Sequence, residues 1–525
     1  MNGVSEKTHH HVIIIGTGFA GLGMGIRLHQ HGMTDFVLLE RAAEVGGTWR
    51  DNRYPGCACD VPSQLYSFSF ELNPTWSRSF SGQQEIWDYL RHCVDRYGLG
   101  RYIRFHHEVL DAAWDHSRRR WRVHTNCGEL TCDVLITGTG ALSEPNIPDI
   151  PGLASFGGAV FHSARWAPGY ELRDRRVAVV GTGASAIQFV PRIQPEVTSL
   201  TLFQRTPAWI MPRGERDIGG LEQKLYRALP VLQRLIRAGI YWGRESLVPG
   251  FAVHPRLLVL AEMIARAHLR RGVPDPALRA KLTPDYTIGC KRILISSDYL
   301  PTLTKPNVQV VTSALTRVGA DWAQAADGTR AGVDVIIFGT GFHVTDMPMA
   351  TRIRGRDGRT LDEVWSSGAQ AHRGTTIAGF PNLFMLVGPN NRARTHLVDL
   401  HDRVPGGVHP RRLALPEALR VCSSGGPAGG ADGLQPVTPA PDGRHGVDLG
   451  RMRELVSRRP RQQHHPVADV HLAIPPRHPQ IRPHRIPNSS RPPHHCPHPP
   501  PPCSWYGSMT GFSRARMERC GCSWR

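Results

Sequence analysis

Two short glycine-rich stretches carry the residue types and spacing of phosphate-binding chemistry. They are Gly16-Thr17-Gly18-Phe19-Ala20-Gly21 and Gly181-Thr182-Gly183-Ala184-Ser185-Ala186. In such a turn the first glycine closes the bend and the second lets a pyrophosphate reach the backbone. The third position, glycine at 21 and the tolerated alanine at 186, lets a helix pack close to the strand with its N-terminus facing the phosphates. Glu40 and Arg205 stand at one common offset, 24 residues past the first glycine of each loop. A carboxylate there accepts hydrogen bonds from ribose hydroxyls and repels a 2′-phosphate, whereas a guanidinium pairs with that phosphate. The first loop is therefore expected to hold FAD and the second NADPH, with Thr206 beside Arg205 at the second site.

The elements that must position these loops are legible around them. Val12-Ile13-Ile14-Ile15 and Arg176-Val177-Ala178-Val179-Val180 read as buried parallel strands before each turn, and Leu22, Ile26 and Leu28 as the helix after the first. Phe36-Val37-Leu38-Leu39 and Leu200-Thr201-Leu202-Phe203 read as the next strands, ending at Glu40 and just before Arg205. Asp133–Gly140 and Asp334–Phe342 share one further pattern, an acid, an apolar strand and a small-Thr-Gly turn. Each reads as a strand returning between domains, with glycine letting the chain pass close to a cofactor, Gly341 among them. The expected fold class is α/β, with two Rossmann-like dinucleotide-binding domains, a helical insertion and an irregular C-terminal tail. Expected boundaries are 10–150 with 330–390 for FAD, 170–216 with 284–329 for NADP, 217–283 for the insertion and 391–525 for the tail.

Composition narrows the remaining classes. At 525 residues the chain is long enough for about three domains. Its formal charge of +19 is unevenly placed: residues 391–525 hold 20 Arg, no Lys and 9 acids, leaving +8 for the first 390. That excess suits phosphate ligands and argues against nucleic acid as a partner. Six cysteines in the first 390 residues have no repeating spacing, as expected of a reduced cytoplasmic protein. The first apolar run is too short for a signal peptide, and the stretch 257–267 is too short and, with Glu262 and Arg266, too charged to span a bilayer. The insertion also carries Leu221, Leu225, Leu229, Leu232 and Arg270-Arg271. It is expected to pack on the core, with a peripheral membrane contact as the alternative. His9-His10-His11 resembles a metal tag, but nothing nearby completes a site, and no metal is expected.

Phe156-x-Gly158-x-x-x-His162-x-x-x-Trp166 resembles the fingerprint of Baeyer–Villiger monooxygenases, a branch of the flavin-containing monooxygenase superfamily, departing from it at Ala167-Pro168. Gly46-Gly47-Thr48-Trp49, Asn52-Arg53-Tyr54-Pro55-Gly56 and Cys59-Asp60 are similar to the family's flavin-flanking loop. Gly289-Cys290-Lys291-Arg292 with Asp298-Tyr299 is similar to its Lys-Arg segment, and Phe380–Phe384 with Gly388-Pro389-Asn390 to its return to the flavin. The resemblance runs from residue 12 to 390. It implies an enzyme that uses FAD, NADPH and O2 to convert a ketone to an ester or lactone through a C4a-peroxyflavin. It further implies Arg292 as the cation that keeps the peroxide anionic, oriented by Asp60. Gly47, Thr48, Trp49, Asp60 and Tyr66 would line the flavin, and Lys291 would help Arg205 hold the 2′-phosphate. His162 reads as a hinge or hydrogen-bonding residue ahead of a proton donor. Without the resemblance, Lys291-Arg292 reads as an exposed basic pair.

Rival readings are an N- or S-hydroxylating flavin monooxygenase, an inactive remnant of the family, and a flavin-dependent disulfide reductase. Trp166 and the Asp60/Arg292 pair oppose the first, and the Cys57-x-Cys59 spacing opposes the last. After Asn390 the chain changes character, with 21 of 43 prolines and 12 of 27 histidines in its last 135 residues. The family continues here with a Thr-Gly-Leu-Gly-His-like stretch. Asn391-Arg392-Ala393-Arg394-Thr395-His396 is encoded by AAY-CGN-GCN-CGN-ACN-CAY, and one base later AYC-GNG-CNC-GNA-CNC permits Thr-Gly-Leu-Gly-His. The tail is therefore expected to be out of frame.

Overall fold

The computed structural model describes residues 7–167, 169–246, 258–344 and 347–389. Pro168, Leu257, Asn390 and the whole of the tail expected to be out of frame lie outside the described residues. The first sheet has eight strands, ordered Ile353–Arg354, Val109–Asp115, Arg120–Thr125, Gly128–Thr137, His9–Ile15, Phe36–Leu39 and Ile103–Arg104. Leu383–Met385 also joins Gly128–Thr137, in parallel. The first strand begins at His9, three residues before the apolar run. Its histidines follow Thr131-Cys132-Asp133 of the neighbouring strand, where His9 and His11 meet Thr131 and Asp133 at 2.9 and 2.8 Å.

Alternation along the central strands divides the core. Val12 and Ile14 face helix Phe19–Gln30 and helix Gln83–Arg96, packing with Leu22, Ile26, Ile86 and Leu90. Ile13 and Ile15 face the other way, onto Trp121, Val123 and Leu383. Both faces are covered, so the strand needs no polar side, and Ile13 and Ile14 are fully buried.

The second sheet has five parallel strands, ordered Val308–Val311, Ser199–Phe203, Arg176–Val180, Val335–Phe338 and Ala159–His162. The strand at 335–338, which lies past the boundary expected at 330, sits inside this sheet. The Asp334 carboxylate fixes it there, accepting from the Arg176 backbone at 2.8 Å and from its guanidinium at 2.7 Å. The chain rejoins the first sheet only at Ile353–Arg354. A three-stranded antiparallel sheet, Leu315–Val318, Trp322–Ala325 and Arg330–Gly332, packs against Ala178 and Phe338.

The insertion folds as helices Gly220–Ala228, Pro230–Glu245, Val259–Gly272 and Pro276–Leu282. Its inner faces reach both cores, through Tyr226 and Tyr241 on one side and Leu269 and Leu282 on the other. Leu221, Val231, Leu235 and Trp242 remain exposed. Among the described residues, no helix is long and apolar enough to cross a membrane.

Both glycine turns are pressed against a returning strand. A Cβ on Gly16 would stand 2.8 Å from the Gly138 carbonyl oxygen, and one on Gly181 2.6 Å from that of Gly339. At Gly21 a Cβ would lie 1.9 Å from the Gly16 carbonyl oxygen, so helix and turn close onto each other. Gly21→Ala is therefore expected to cost roughly 1–3 kcal/mol, the range for overpacking a tight site. Urea unfolding of the variant beside the parent chain measures it, and equal midpoints would show that the turn relaxes freely.

Candidate active site

Helix Phe19–Gln30 starts at Gly18 with no side-chain cap and no acid in its first turn, so its leading N–H groups are not neutralised by the protein's own carboxylates. Glu40, at the end of the second strand, is buried. One of its oxygens accepts from the Thr17 amide at 3.2 Å and the Thr17 hydroxyl at 2.5 Å. The other accepts from the Ala42 amide at 3.0 Å and pairs with Arg50 at 2.9 Å. Arg50 is equally buried and also forks onto Asp51. Burial opposes its charge, but the Asp51 hydrogen bonds and the Glu40 charge outweigh that and raise its pKa. Sequence reasoning missed Arg50 as the partner of Glu40, since a separation of ten residues across a loop follows no helical or strand period.

Gly47 leads into the short helix Thr48–Asp51. The indole N–H of Trp49 donates to the Tyr66 hydroxyl at 2.9 Å. The rings of Phe19 and Trp49 meet Tyr66 edge-on, at 5.1 and 5.4 Å between centroids. Phe19, Trp49 and Tyr66 are thus brought together beside the first helix turn, where Ala20 also lies.

At the second loop, helix Ala186–Ile193 starts from Ser185, again without a side-chain cap or an acid in its first turn. The Thr182 hydroxyl donates to the Thr206 carbonyl at 3.2 Å, tying the glycine turn to the segment that carries Arg205. Arg205 is exposed and has no ion-pair partner among the described residues. Lys291 lies over the Tyr286 ring, its Nζ 4.8 Å from the centroid.

Asp60 and Arg292, 232 residues apart, form an ion pair in which Arg292 Nη2 donates to Asp60 Oδ2. Arg292 keeps 45% of its side-chain surface exposed and Asp60 19%, so the guanidinium retains an open side. Arg292 stands two residues before strand Leu294–Ile295, which pairs in parallel with Ile210–Met211. Neither Cys57 nor Cys59 is in a disulfide with another described residue. Burial pushes the Cys57 thiol up to about 12, a Tyr54 hydrogen bond only partly offsetting it. A thiol so protonated is a poor redox nucleophile.

His162 ends strand Ala159–His162 and is 1% exposed. Its Nδ1 accepts from the Ala164 amide at 3.1 Å, and its ring lies edge-on to Phe342. Trp166 packs edge-on against Phe161 and tilted against Phe189. The fingerprint is therefore built into the second sheet, against the Gly341-Phe342 turn.

Residues 13–213 match the family model described as pyridine nucleotide-disulphide oxidoreductase. A Baeyer-Villiger monooxygenase of Streptomyces coelicolor is 58% identical over 388 residues, covering 73% of this chain and 75% of that protein. The crystal structure of cyclohexanone monooxygenase from Rhodococcus sp. Phi1 bound to NADP+ is similar with a TM-score of 0.70 and 28% identity, covering 80% of this chain and 85% of that one. An OTEMO complex with FAD and NADP gives a TM-score of 0.69 and 27% identity, covering 80% and 86%.

Burial holds the His162 pKa down to about 4, with the Gly341 backbone pulling the other way. The folded ring stays neutral down to that pH, while the unfolded one takes a proton below about 6.5. The unfolded state then binds more protons, so stability falls as pH drops from 6.5 toward 4. For a shift of this size the loss approaches about 3 kcal/mol. Urea unfolding at pH 7.5 and 4.5 should show that loss in the parent chain in excess of His162→Gln, and parallel losses would refute a neutral His162.

Proposed function

This chain belongs to the Baeyer–Villiger monooxygenase family, and on that footing we propose that it is an FAD- and NADPH-dependent enzyme inserting one atom of O2 into a ketone to give an ester or lactone. The observation that carries the reading is the Asp60–Arg292 pair, a fixed cation with one open side. We assign residues 10–150 and 347–389 to the FAD unit, and 159–216 with 284–338 to the NADP unit.

The residues fit both groups. Around Gly18 and Gly183 nothing lies closer than 3.7 Å to the position of a Cβ, so both turns keep a bare side for a pyrophosphate. At the first site Phe19, Trp49 and Tyr66 offer an aromatic wall. Glu40 has its acceptor positions filled, so a ribose hydroxyl would replace the Thr17 hydroxyl, the one donor there free to rotate. At the second site the exposed Arg205 suits a 2′-phosphate, with Thr206 beside it and Lys291 contributing charge. When bound, FAD supplies the transfer of two electrons from NADPH to O2, which the protein's side chains cannot perform.

The chain's own part is electrostatic and positional. Arg292 would stabilise negative charge developing on reactive oxygen, and Asp60 would hold the guanidinium in one orientation while accepting from it. The buried His162, neutral above about pH 4, serves as packing and hydrogen-bond support. A dithiol mechanism is disfavoured by the protonated Cys57. The six cysteines among the described residues stand outside any disulfide, which supports a reduced, cytoplasmic setting.

With NADPH, the purified chain should convert a cyclic ketone to its lactone. Arg205→Ala should raise the KM for NADPH about tenfold while leaving that for NADH nearly unchanged, as expected for loss of a charge-assisted phosphate contact. Sulfoxide from a thioether with no lactone from any ketone would assign the N- or S-hydroxylating reading instead.

We also infer that the tail from about residue 391 is out of frame. The match to the Streptomyces protein covers 73% of this chain and 75% of that protein, so that about a quarter of each is unmatched, which supports the inference. Resequencing the gene around codon 390 should find the one-base slip. An intact frame expressed as this tail would overturn it.

A further inference from the structure

Three consecutive residues of the first unit, Ala58, Cys59 and Asp60, are each held by a polar side chain from the second. Gln188, on helix Ala186–Ile193, grips Ala58 from both sides: its amide nitrogen donates to the Ala58 carbonyl at 2.9 Å, and its oxygen accepts from the Ala58 amide at 3.3 Å. The same oxygen accepts from the Tyr54 hydroxyl at 2.9 Å. Arg213 donates to the Cys59 carbonyl at 3.3 Å and to that of Phe80 at 3.5 Å. Arg292 takes the Asp60 carboxylate.

These grips are coupled through the fold of the second unit. Arg213 follows strand Ile210–Met211, and Arg292 precedes strand Leu294–Ile295; the two strands pair with Ile210 opposite Leu294. The Ser296 amide donates to the Met211 carbonyl at 3.0 Å, and the Arg213 amide to the Ser297 hydroxyl at 3.2 Å, locking the register of the two arginines. Gln188 comes from the helix whose N-terminus carries the second glycine loop. On its far side the strap is anchored to the first unit by the Cys59 amide donating to the Ser81 carbonyl at 2.9 Å.

We propose that Gln188 and Arg213 are positioning residues that clasp the main chain at 58–59 so that Asp60 meets Arg292 in one geometry, making the pair depend on how the second unit is docked. The proposal rests on the monooxygenase reading for its consequence and on the three-point contact for its structure. Arg213 binds a carbonyl one residue from the carboxylate, so removing it frees the backbone that aims Asp60 without touching the charge of the pair. Among the described residues, Gln188 is the side chain that pairs with both Ala58 backbone groups. Its loss leaves a donor and an acceptor unpaired and gives the strap freedom to turn.

The test uses the full FAD-loaded chain with Gln188→Ala, Arg213→Met and Arg213→Lys. Hydrogen–deuterium exchange should rise roughly tenfold at the Ala58 amide in Gln188→Ala and across peptide 58–60 in Arg213→Met, the size expected for one lost hydrogen bond. Product formed per NADPH consumed should fall by about the same factor in Arg213→Met, while the KM for NADPH moves less than twofold. Arg213→Lys, which keeps a donor, should recover most of the coupling. Combining Arg213→Met with Asp60→Asn should lose no more than Asp60→Asn alone. Faster exchange with coupling intact would make the clasp merely structural and overturn the proposal, as would additive losses. If the parent chain oxidises no NADPH, the monooxygenase reading fails on that result. The exchange comparison then decides the clasp, and unchanged exchange at 58–60 in Gln188→Ala and Arg213→Met sinks it.

Discussion

At Gly16 and again at Gly181 the backbone turns beneath the carbonyl of a strand returning from elsewhere in the chain, Gly138 in one case and Gly339 in the other. A Cβ at either turn would come within 2.8 Å of that oxygen. This backbone-on-backbone approach fixes how each helix leaves its sheet, where its uncapped N-terminus points, and which strand lies beside the first. The neighbouring strands Gly128–Thr137 and Val335–Phe338 are therefore flanked by a strand on either side, Gly128–Thr137 at the centre of its sheet and Val335–Phe338 between Arg176–Val180 and Ala159–His162. Each turn tolerates one returning chain, and the sheet closes around it.

Charge is then arranged differently at the two turns. At the first, Glu40 is buried with Arg50 against it, so the carboxylate is held in place and its charge is compensated by the protein. At the second, Arg205 stands exposed with no ion-pair partner among the described residues. A buried compensated acid and an open uncompensated cation are opposite solutions at one structural position. They suit a ligand kept resident and a charged one that must enter and leave. Between the turns, Gln188, Arg213 and Arg292 reach across to the segment at 58–60, making the space between the sheets a set of directed polar contacts.

Much of this was legible along the chain, and the reasons are local. The glycine spacing, the β-branched runs before it and the acid or arginine 24 residues on are short-range patterns dictated by a single turn and a single strand period. The Asp60–Arg292 pair came through family resemblance, and the structure brings the two side chains together. The clasp by Gln188 and Arg213 left no mark in the sequence, because a side chain that binds a distant carbonyl imposes no residue type on its partner. The placement of Val335–Phe338 in the second sheet is not legible in the sequence for a related reason. Its acid-strand-Gly pattern says that a strand ends near a glycine turn, and only the Asp334–Arg176 contact says which turn.

By itself the sequence determined two glycine-rich strand–turn–helix units and the charge that follows each, since these follow from steric and electrostatic needs within some thirty residues of chain. Tertiary structure alone decided that Glu40 is paired with Arg50, that His162 is buried and neutral, that the insertion reaches both cores, and that three successive residues at 58–60 are gripped from the second unit. Those are contacts between groups separated by ten to more than two hundred residues. Their energies depend on burial and distance, which no spacing rule along one chain can express.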